Sequence, residues 1–561
     1  MKVAIEGCAH GELEKIYEAI DHLQIKEGVK VDLLICCGDF QATRNLQDLR
    51  CMAVPIKYQQ ICTFYKYYSG EKTAPVLTIF IGGNHEASNY LQELPFGGWV
   101  APNIYYLGYA GVVNIAGIKI AGLSGIYKFH DFLKGHYEKA PYTEESKRSV
   151  YHIRNIEVFR LKQLQKPVDI FISHDWPSGV YNYGNADKLL RKKPYFEKDM
   201  HSDRLGSKPC EELLWKLKPS YWFAAHLHVK FAALVPHEEN EDDVEKKKTK
   251  FLALDKCLPR RQFLQANVFC LHKVLNKKFL IIDIPHDEEK DLKLEYDLEW
   301  LTILFNTNHL MSIKKSNQYM PGEGHDSRWN FTPTPEEEEL VQQKFNGDFT
   351  VPINFSPTAE AYDASREASL HHSVVCQPKA CINPQTTEFC KRLGIDDPMA
   401  LILAASNDET DLQTTPRHPQ DWNRVISYSP NRSGEVSFIS TNDDEDDDDE
   451  DDVSSDDQKN ISSGTAERSL SFSPPALGRL SLPSPRNISK SIFEEEEPTP
   501  ACKRASTEGS GLSSFIGEGG ETKESDQGQK AGDSGANSSK SGPKKFKRRN
   551  ESLYVEADDD N

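Results

Sequence analysis

Five short apolar runs, each ending in polar residues able to bind metal, constrain this 561-residue chain more than any other feature. Val3–Glu6 leads into GCAHGE, Val31–Cys37 into GDF, Val76–Ile81 into GGNHE, Val168–Ser173 into HDWP and Tyr221–Ala225 into HLH. Short runs rich in Val, Ile, Leu and Phe, bounded by turn residues, predict buried strands. After the first run, Leu13, Ile16, Tyr17, Ile20 and Leu23 recur at helical spacing. Strands buried on both faces alternate with helices in α/β folds, and such sheets keep their sites at the C-terminal ends of the strands. The chain is therefore expected to be an α/β protein with its chemistry gathered at one sheet edge. In VVNIAGIKIAGLSG (112–125) a glycine separates two β-type runs, which predicts a hairpin.

Seven side chains at the strand ends can ligate metal: Cys8, His10, Asp39, Asn84, His174, His226 and His228. A lone buried cysteine is usually just a small hydrophobe, and a lone histidine a satisfied polar residue. Independent accidents do not place seven such groups at five strand ends. Asp39 is the one carboxylate of the set, and a carboxylate can bridge two cations. Cys8/His10 and His226/His228 are spaced i, i+2, which on an extended strand points both side chains the same way. Each pair then either divides between neighbouring metals or converges on one. Two divalent ions roughly 3.5–4 Å apart clamp the attacking and departing oxygens of a phosphoryl displacement. Their charge exceeds that of one thiolate and one carboxylate, leaving attraction for a hydroxide and a phosphodiester. Thiolate suits Zn2+ or Fe2+, and the N/O ligands also admit Mn2+; the residues do not choose among the three.

The motif order CAH, GDFQ, GNHE, SHD and AHLH resembles the calcineurin-like metallophosphoesterases, whose pattern is D-x-H, G-D-x-x, G-N-H-[D/E], H and G-H-x-H. Cys8 replaces the first aspartate and Ala225 the last glycine. With Cys8, the segments GGNHEASNYLQELPFGGWVAPNIYYLG and KFLALDKCLPRRQFLQ resemble the members of that family that debranch RNA lariats, over about residues 1–355. The resemblance implies a metallophosphoesterase β-sandwich flanked by helices, occupying 1–236. It also implies two divalent metal ions, one held by Cys8, His10, Asp39 and His228 and the other by Asp39, Asn84, His174 and His226. His85, beside a ligand, resembles the family's general acid. Glu86 is expected to cap the following helix or orient a neighbour, and Asp175 to support His174. The implied substrate is branched (lariat) intron RNA, cut at its 2′,5′ linkage. A generic phosphatase or DNA nuclease fits Cys8 and the insert at 124–154 poorly, and an inactive scaffold has no reason to keep every ligand.

Ser124–Arg154 corresponds to the family's lariat recognition loop. Lys128, Lys134 and Arg154 suit phosphates there, and Tyr127 and Tyr137 suit stacking on splayed bases. KLLRKKPYFEK (188–198) is a second basic and aromatic patch. The net charge of -19 reads against a nucleic-acid partner until it is resolved along the chain. Residues 1–300 hold 41 Lys or Arg against 40 Asp or Glu, whereas 401–561 hold 18 against 33. The body is neutral, and the acidity belongs to the end of the chain.

Further segments follow from composition. Residues 237–250 are expected to be a charged linker, 251–355 a small C-terminal domain, and 356–561 a mostly disordered acidic tail. The acidic run 443–452 has no assigned role. PKKFKRR at 543–549 reads as a nuclear localisation signal, with nuclear import or splicing-associated proteins as partners of the tail. Ser429, Ser473, Ser484 and Thr499 each precede proline, a context for phosphorylation. The scattered cysteines lack any C-x-x-C pair, which predicts a reducing compartment rather than a disulfide framework. With no long apolar stretch, neither a membrane span nor a signal peptide is expected.

Overall fold

All five apolar runs form strands, and they divide between two sheets. The computed structural model describes residues 1–411 apart from 238–246, 260, 267–281, 325–326 and 366–374. The acidic run, the proline-directed sites and the basic segment at 543–549 lie outside the described residues. In the first sheet β1 (Lys2–Glu6), β2 (Leu33–Cys36) and β3 (Leu77–Phe80) pair in parallel. β4 (Gly98–Ala101) and β5 (Ile104–Tyr106) follow, β5 parallel to β3 and β4 antiparallel to β5. In the second sheet β6 (Ala110–Ile115) and β7 (Ile118–Leu123) form the expected hairpin. Its turn, Ala116–Gly117, has φ of 48° and 81°, a two-residue turn whose twist matches that of paired strands. β8 (Ile170–Ser173) and β9 (Tyr221–Ala224) extend this sheet in parallel from β7.

Side-chain alternation along the strands decides what each face buries. Val3, Ile5, Leu33, Ile35 and Ile79 of the first sheet share one core with Ile118, Ile120, Ile170, Ile172 and Phe223 of the second. The two sheets therefore face each other as a sandwich. The intervening residues point outward and need helices over them. Ala4, Leu34, Cys36 and Phe80 pack on helix Leu13–Glu27, which presents the five apolar residues read from its spacing. That helix stops at Gly28, which takes the left-handed cap conformation with φ 64°. Phe171 and Trp222 are covered by helices Asn155–Lys162, Lys208–Leu217 and Leu298–Asn306. The fold is the helix-flanked sandwich that the resemblance implies.

Residues after 236 add strands to both sheets of the sandwich. β10 (Phe231–Pro236) pairs antiparallel with β11 (Lys248–Ala253), and β11 lies between β10 and β9. β12 (Leu264–Ala266) and β13 (Ile282–Asp283) both pair with β1, and β14 (Leu294–Tyr296) pairs with β6. Among the described residues both sheets thus reach seven strands. Lys248 and Lys250 fall in the expected linker because that stretch is densely charged, yet they alternate with buried Thr249 and Phe251. The body also continues beyond the expected boundary at 355. Arg44 ion-pairs with Glu93 at 2.7 Å and donates to Thr358 Oγ1 at 2.8 Å. Gln385 exchanges two hydrogen bonds with the backbone of Trp99, so its amide continues the ladder at edge strand β4. Buried Cys390 and Leu393 seat helix Pro384–Leu393. No helix among the described residues is long and apolar enough to cross a membrane, and the described cysteines form no disulfide.

His237 closes the β10–β11 pair, its Nε2 lying 2.7 Å from Thr249 Oγ1. Burial, then Lys218 and Lys247, push its pKa down to about 4, against about 6.5 in the unfolded chain. The unfolded state thus binds the extra proton first, and stability present above about pH 6.5 is lost as pH falls toward 4. His237→Gln is expected to flatten that part of the stability profile, measured by urea melts at stepped pH.

Candidate active site

The strands β1, β2 and β3 of one sheet and β8 and β9 of the other deliver their polar ends to one place, and all seven predicted ligands meet there. Donor atoms of Cys8, His10, Asp39 and His228 lie within 4.8 Å of one another. On the other side of Asp39, its Oδ1 is 3.3 Å from His174 Nε2, which in turn is 3.2 Å from Asn84 Oδ1. The His226 ring lies 5.0 Å from that of His174, centroid to centroid. Asp39 Oδ2 instead faces His10 Nε2 at 3.7 Å, so the carboxylate stands between two ligand groups. Cys8, Asp39 and His174 are fully buried.

Strand alternation is not what aims the paired ligands. β1 ends at Glu6 and β9 at Ala224, and the residues beyond turn through left-handed backbone: His10 (φ 46°), Asp39 (47°), His226 (62°) and His228 (47°). For a residue with a Cβ this conformation costs roughly 1–2 kcal/mol. Four in one site mark strain held where ligands must converge. Two glycines make room. A Cβ on Gly38 would stand 2.2 Å from His174 Nδ1, and one on Gly83 would stand 2.3 Å from Asp39 Oδ1.

A second ring of contacts fixes these groups. His174 Nδ1 bonds the Cys37 carbonyl at 2.8 Å, which leaves Nε2 facing Asp39 and Asn84. Gln41 Nε2 lies 3.1 Å from His10 Nδ1, and the His226 N–H donates to Cys8 Sγ at 3.3 Å. Glu86 accepts from the N–H groups of Phe40, Gln41 and Gly83 at 2.8–2.9 Å, pinning the loops that carry Asp39 and Asn84. It orients neighbours and does not cap helix Ser88–Leu91. Asp175 accepts from the Trp176 N–H at 2.9 Å and from Tyr127 at 3.4 Å, linking the His174 loop to the start of the 124–154 segment. Gln41 was not legible as a site residue, because its contact depends on a left-handed turn at φ 57°.

His85 lies beside Asp39, its Nδ1 3.7 Å from Oδ2, with its ring 5.5 Å from that of His10, centroid to centroid. Its backbone N–H donates to Asp39 Oδ1 at 2.8 Å, its Nδ1 makes no hydrogen bond, and 19 % of its side-chain surface stays open. Burial raises the Cys8 thiol well above its ordinary pKa, and Asp39 and Glu6 push it further. Burial also works against the Asp39 carboxylate, but His174, His85 and His10 hold it well below the usual range. Glu6, missed from the sequence, is wholly buried beside this set with neither carboxylate oxygen hydrogen-bonded. For His228, burial followed by His10 and Lys256 favours the neutral imidazole that a ligand must be. A buried thiol among carboxylates reaches its ligating thiolate form only with strong positive charge beside it, and a divalent cation supplies that. The donor set fits metal.

The expected RNA contacts divide. Tyr127, Lys128, Lys134 and Tyr137 are all partly exposed, although Lys134 Nζ is paired with Asp131 at 2.6 Å. Arg154 is wholly buried and is no phosphate contact. Its guanidinium bonds Glu138 at 2.6 Å and the carbonyls of Asp131 and Ser149 at 2.8 Å, tying the segment into one piece. Arg154→Ala would strand the Glu138 carboxylate and is expected to cost about 3–5 kcal/mol locally. Limited proteolysis should then cut within 124–154 before any other part of the body. A further set, His130, Asp131 and His152, also brings donor atoms together. Lys134 at 2.6 Å and Arg154 at 3.9 Å already offset the charge of Asp131, so no cation is required there.

A sandwich with a buried, two-lobed ligand set at its strand ends defines a metallophosphoesterase, and residues 1–230 match the model of the calcineurin-like phosphoesterase family. Residues 246–398 match the family described as lariat debranching enzyme, C-terminal domain. The chain is 45 % identical to lariat debranching enzyme A of Xenopus laevis over the whole of both chains. It is 56 % identical to the lariat debranching enzyme of Drosophila melanogaster over 72 % of this chain and 80 % of that one. For the Homo sapiens enzyme the identity is 54 %, over 71 % and 70 %. The chain belongs to the lariat debranching enzyme family, and it is a hydrolase that uses divalent metal.

Proposed function

We propose that this protein hydrolyses the 2′,5′ phosphodiester at the branch point of lariat intron RNA, returning the intron to linear form. One observation carries the reading: the segment 124–154 is tied to the ligand set, its Tyr127 N–H donating to Asp175 beside His174. Tyr127 and Lys128 are partly exposed there, and offer a branched RNA a stacking surface and a phosphate contact.

Cys8, His10, Asp39 and His228 would hold one ion, and Asp39, Asn84, His174 and His226 the second. Zn2+, Fe2+ and Mn2+ all suit these donors. When bound, the ions lower the pKa of water and offset charge on the phosphate. His85, fixed by its N–H to Asp39, protonates the departing 2′ oxygen as its bond to phosphorus breaks. Water supplies the new oxygen on phosphorus, so the phosphate remains on the 5′ end of the released strand. Glu86 holds the two ligand loops still through the reaction.

The test offers purified protein, loaded with defined metals, a branched RNA, a linear 3′,5′ RNA and a small aryl phosphate. Strong preference for the branched RNA over the other two is the expected result; equal cleavage of all three would defeat it. The basic segment at 543–549 is proposed to direct the chain to the nucleus through import proteins. A fusion lacking it should lose nuclear accumulation.

A further inference from the structure

We propose that the exposed face of helix Ala186–Lys192, with Lys193 and Tyr195 beyond it, is a track for one RNA arm as it leaves the branch point. This rests on the debranching reading and adds a binding surface outside the 124–154 segment. Lys188, Arg191 and Lys192 fall at i, i+3 and i+4, so they share one side of the helix, while Leu189 anchors the other side in the core. All three cations are exposed, and neither they nor Lys193 has an ion pair among the described residues. Tyr195 is 62 % exposed, and Lys193 Nζ stands 5.5 Å from its ring centroid. A cation beside an open aromatic ring offers a phosphate contact and a stacking platform together.

Placement gives this patch its meaning. The loop that carries His226 and His228 runs straight into β10, and Gly184, just before the helix, bridges Ala233 of that strand. Gly184 approaches so closely that a Cβ there would lie 2.4 Å from the Phe231 ring. The helix is thereby fixed against the strand that begins three residues after His228. Lys230, two residues after His228, puts a further positive charge on the same loop. Positive charge thus continues from the ligand loop along the helix on a body whose first 300 residues are otherwise balanced. An extended phosphodiester chain fits such a line of separated cations. An apolar partner does not.

The full-length, metal-loaded protein is compared with a Lys188→Glu/Arg191→Glu/Lys192→Glu variant on two branched substrates. One carries arms of about ten nucleotides, and the other is a minimal branched trinucleotide. For long arms KM should rise about 10-fold or more, and the slope of log K against log salt should shrink by about 2, as expected when three phosphate contacts on a single strand are lost. On the trinucleotide both forms should perform equally. Unchanged KM and salt slope on long arms would overturn the track, and so would an equal loss on the trinucleotide, because the helix would then act on the site itself. Binding of a linear single strand is measured in parallel. A wild type that binds it through these residues without cutting the branch would sink the debranching reading and leave the track standing.

Discussion

Asp39→Asn is expected to lower kcat on branched RNA by on the order of 10³-fold and to release bound metal, with the fold intact. The asparagine keeps the shape, and its Oδ1 still accepts the His85 N–H that now bonds Asp39 at 2.8 Å. What disappears is the negative charge between the two ligand groups, where one oxygen faces His10 and the other His174. Lewis-acid assistance to phosphoryl transfer is worth several kcal/mol, and each 1.36 kcal/mol is tenfold in rate. Elemental analysis of the purified variant should show metal depleted at both positions, because a bridging ligand serves two ions. A thermal melt checks the fold. Wild-type metal content together with wild-type rate would show that Asp39 bridges nothing.

The second large effect belongs to His85. His85→Ala should lower kcat by about 10²–10⁴-fold, the usual worth of a positioned acid, while metal content stays at the wild-type level. His85 lies outside the proposed ligand set and its ring keeps an open face, so its removal is expected to take away a proton donor and leave the ligands in place. A discriminating substrate is one whose departing group is a nitrophenol. Such a group leaves without a proton, and the variant should recover most of its rate on it. An equal loss on both substrates would make His85 a positioning residue. The contrast with Asp39 is the useful part, because one variant loses metal and the other does not.

How much of this was legible in the sequence depends on how local the signal is. The five strands, the helix at Leu13–Glu27 and the hairpin at Ala116–Gly117 follow from periodicity and turn residues within a few positions, and all formed as read. The ligand set was legible because its members sit directly after those strands. Their convergence was read for the wrong reason. His10, Asp39, His226 and His228 adopt left-handed backbone, which tertiary contacts impose and side-chain type does not announce.

Non-local pairing hid the rest. β12 and β13 return to β1 from more than 250 positions away, and nothing in LQA or ID reports that partner. Arg154 was misread because a basic residue in an RNA-facing segment looks like a phosphate contact. Only the fold shows Glu138 buried against it. Glu6 and Gln41 carry no motif signature at all. Charge misled in the same way at β11, where lysines on the exposed side of a strand read as a linker.

End-group analysis of the reaction products tests the account most directly. A branched RNA labelled on each arm is incubated with metal-loaded protein, and the termini produced are identified by mass. The account predicts a free 2′ hydroxyl at the branch nucleotide, a 5′ phosphate on the released arm, an intact 3′,5′ backbone, and little product after chelation or with Asp39→Asn. A 2′ phosphate at the branch, breaks in the linear backbone, or undiminished cleavage under chelation would contradict it.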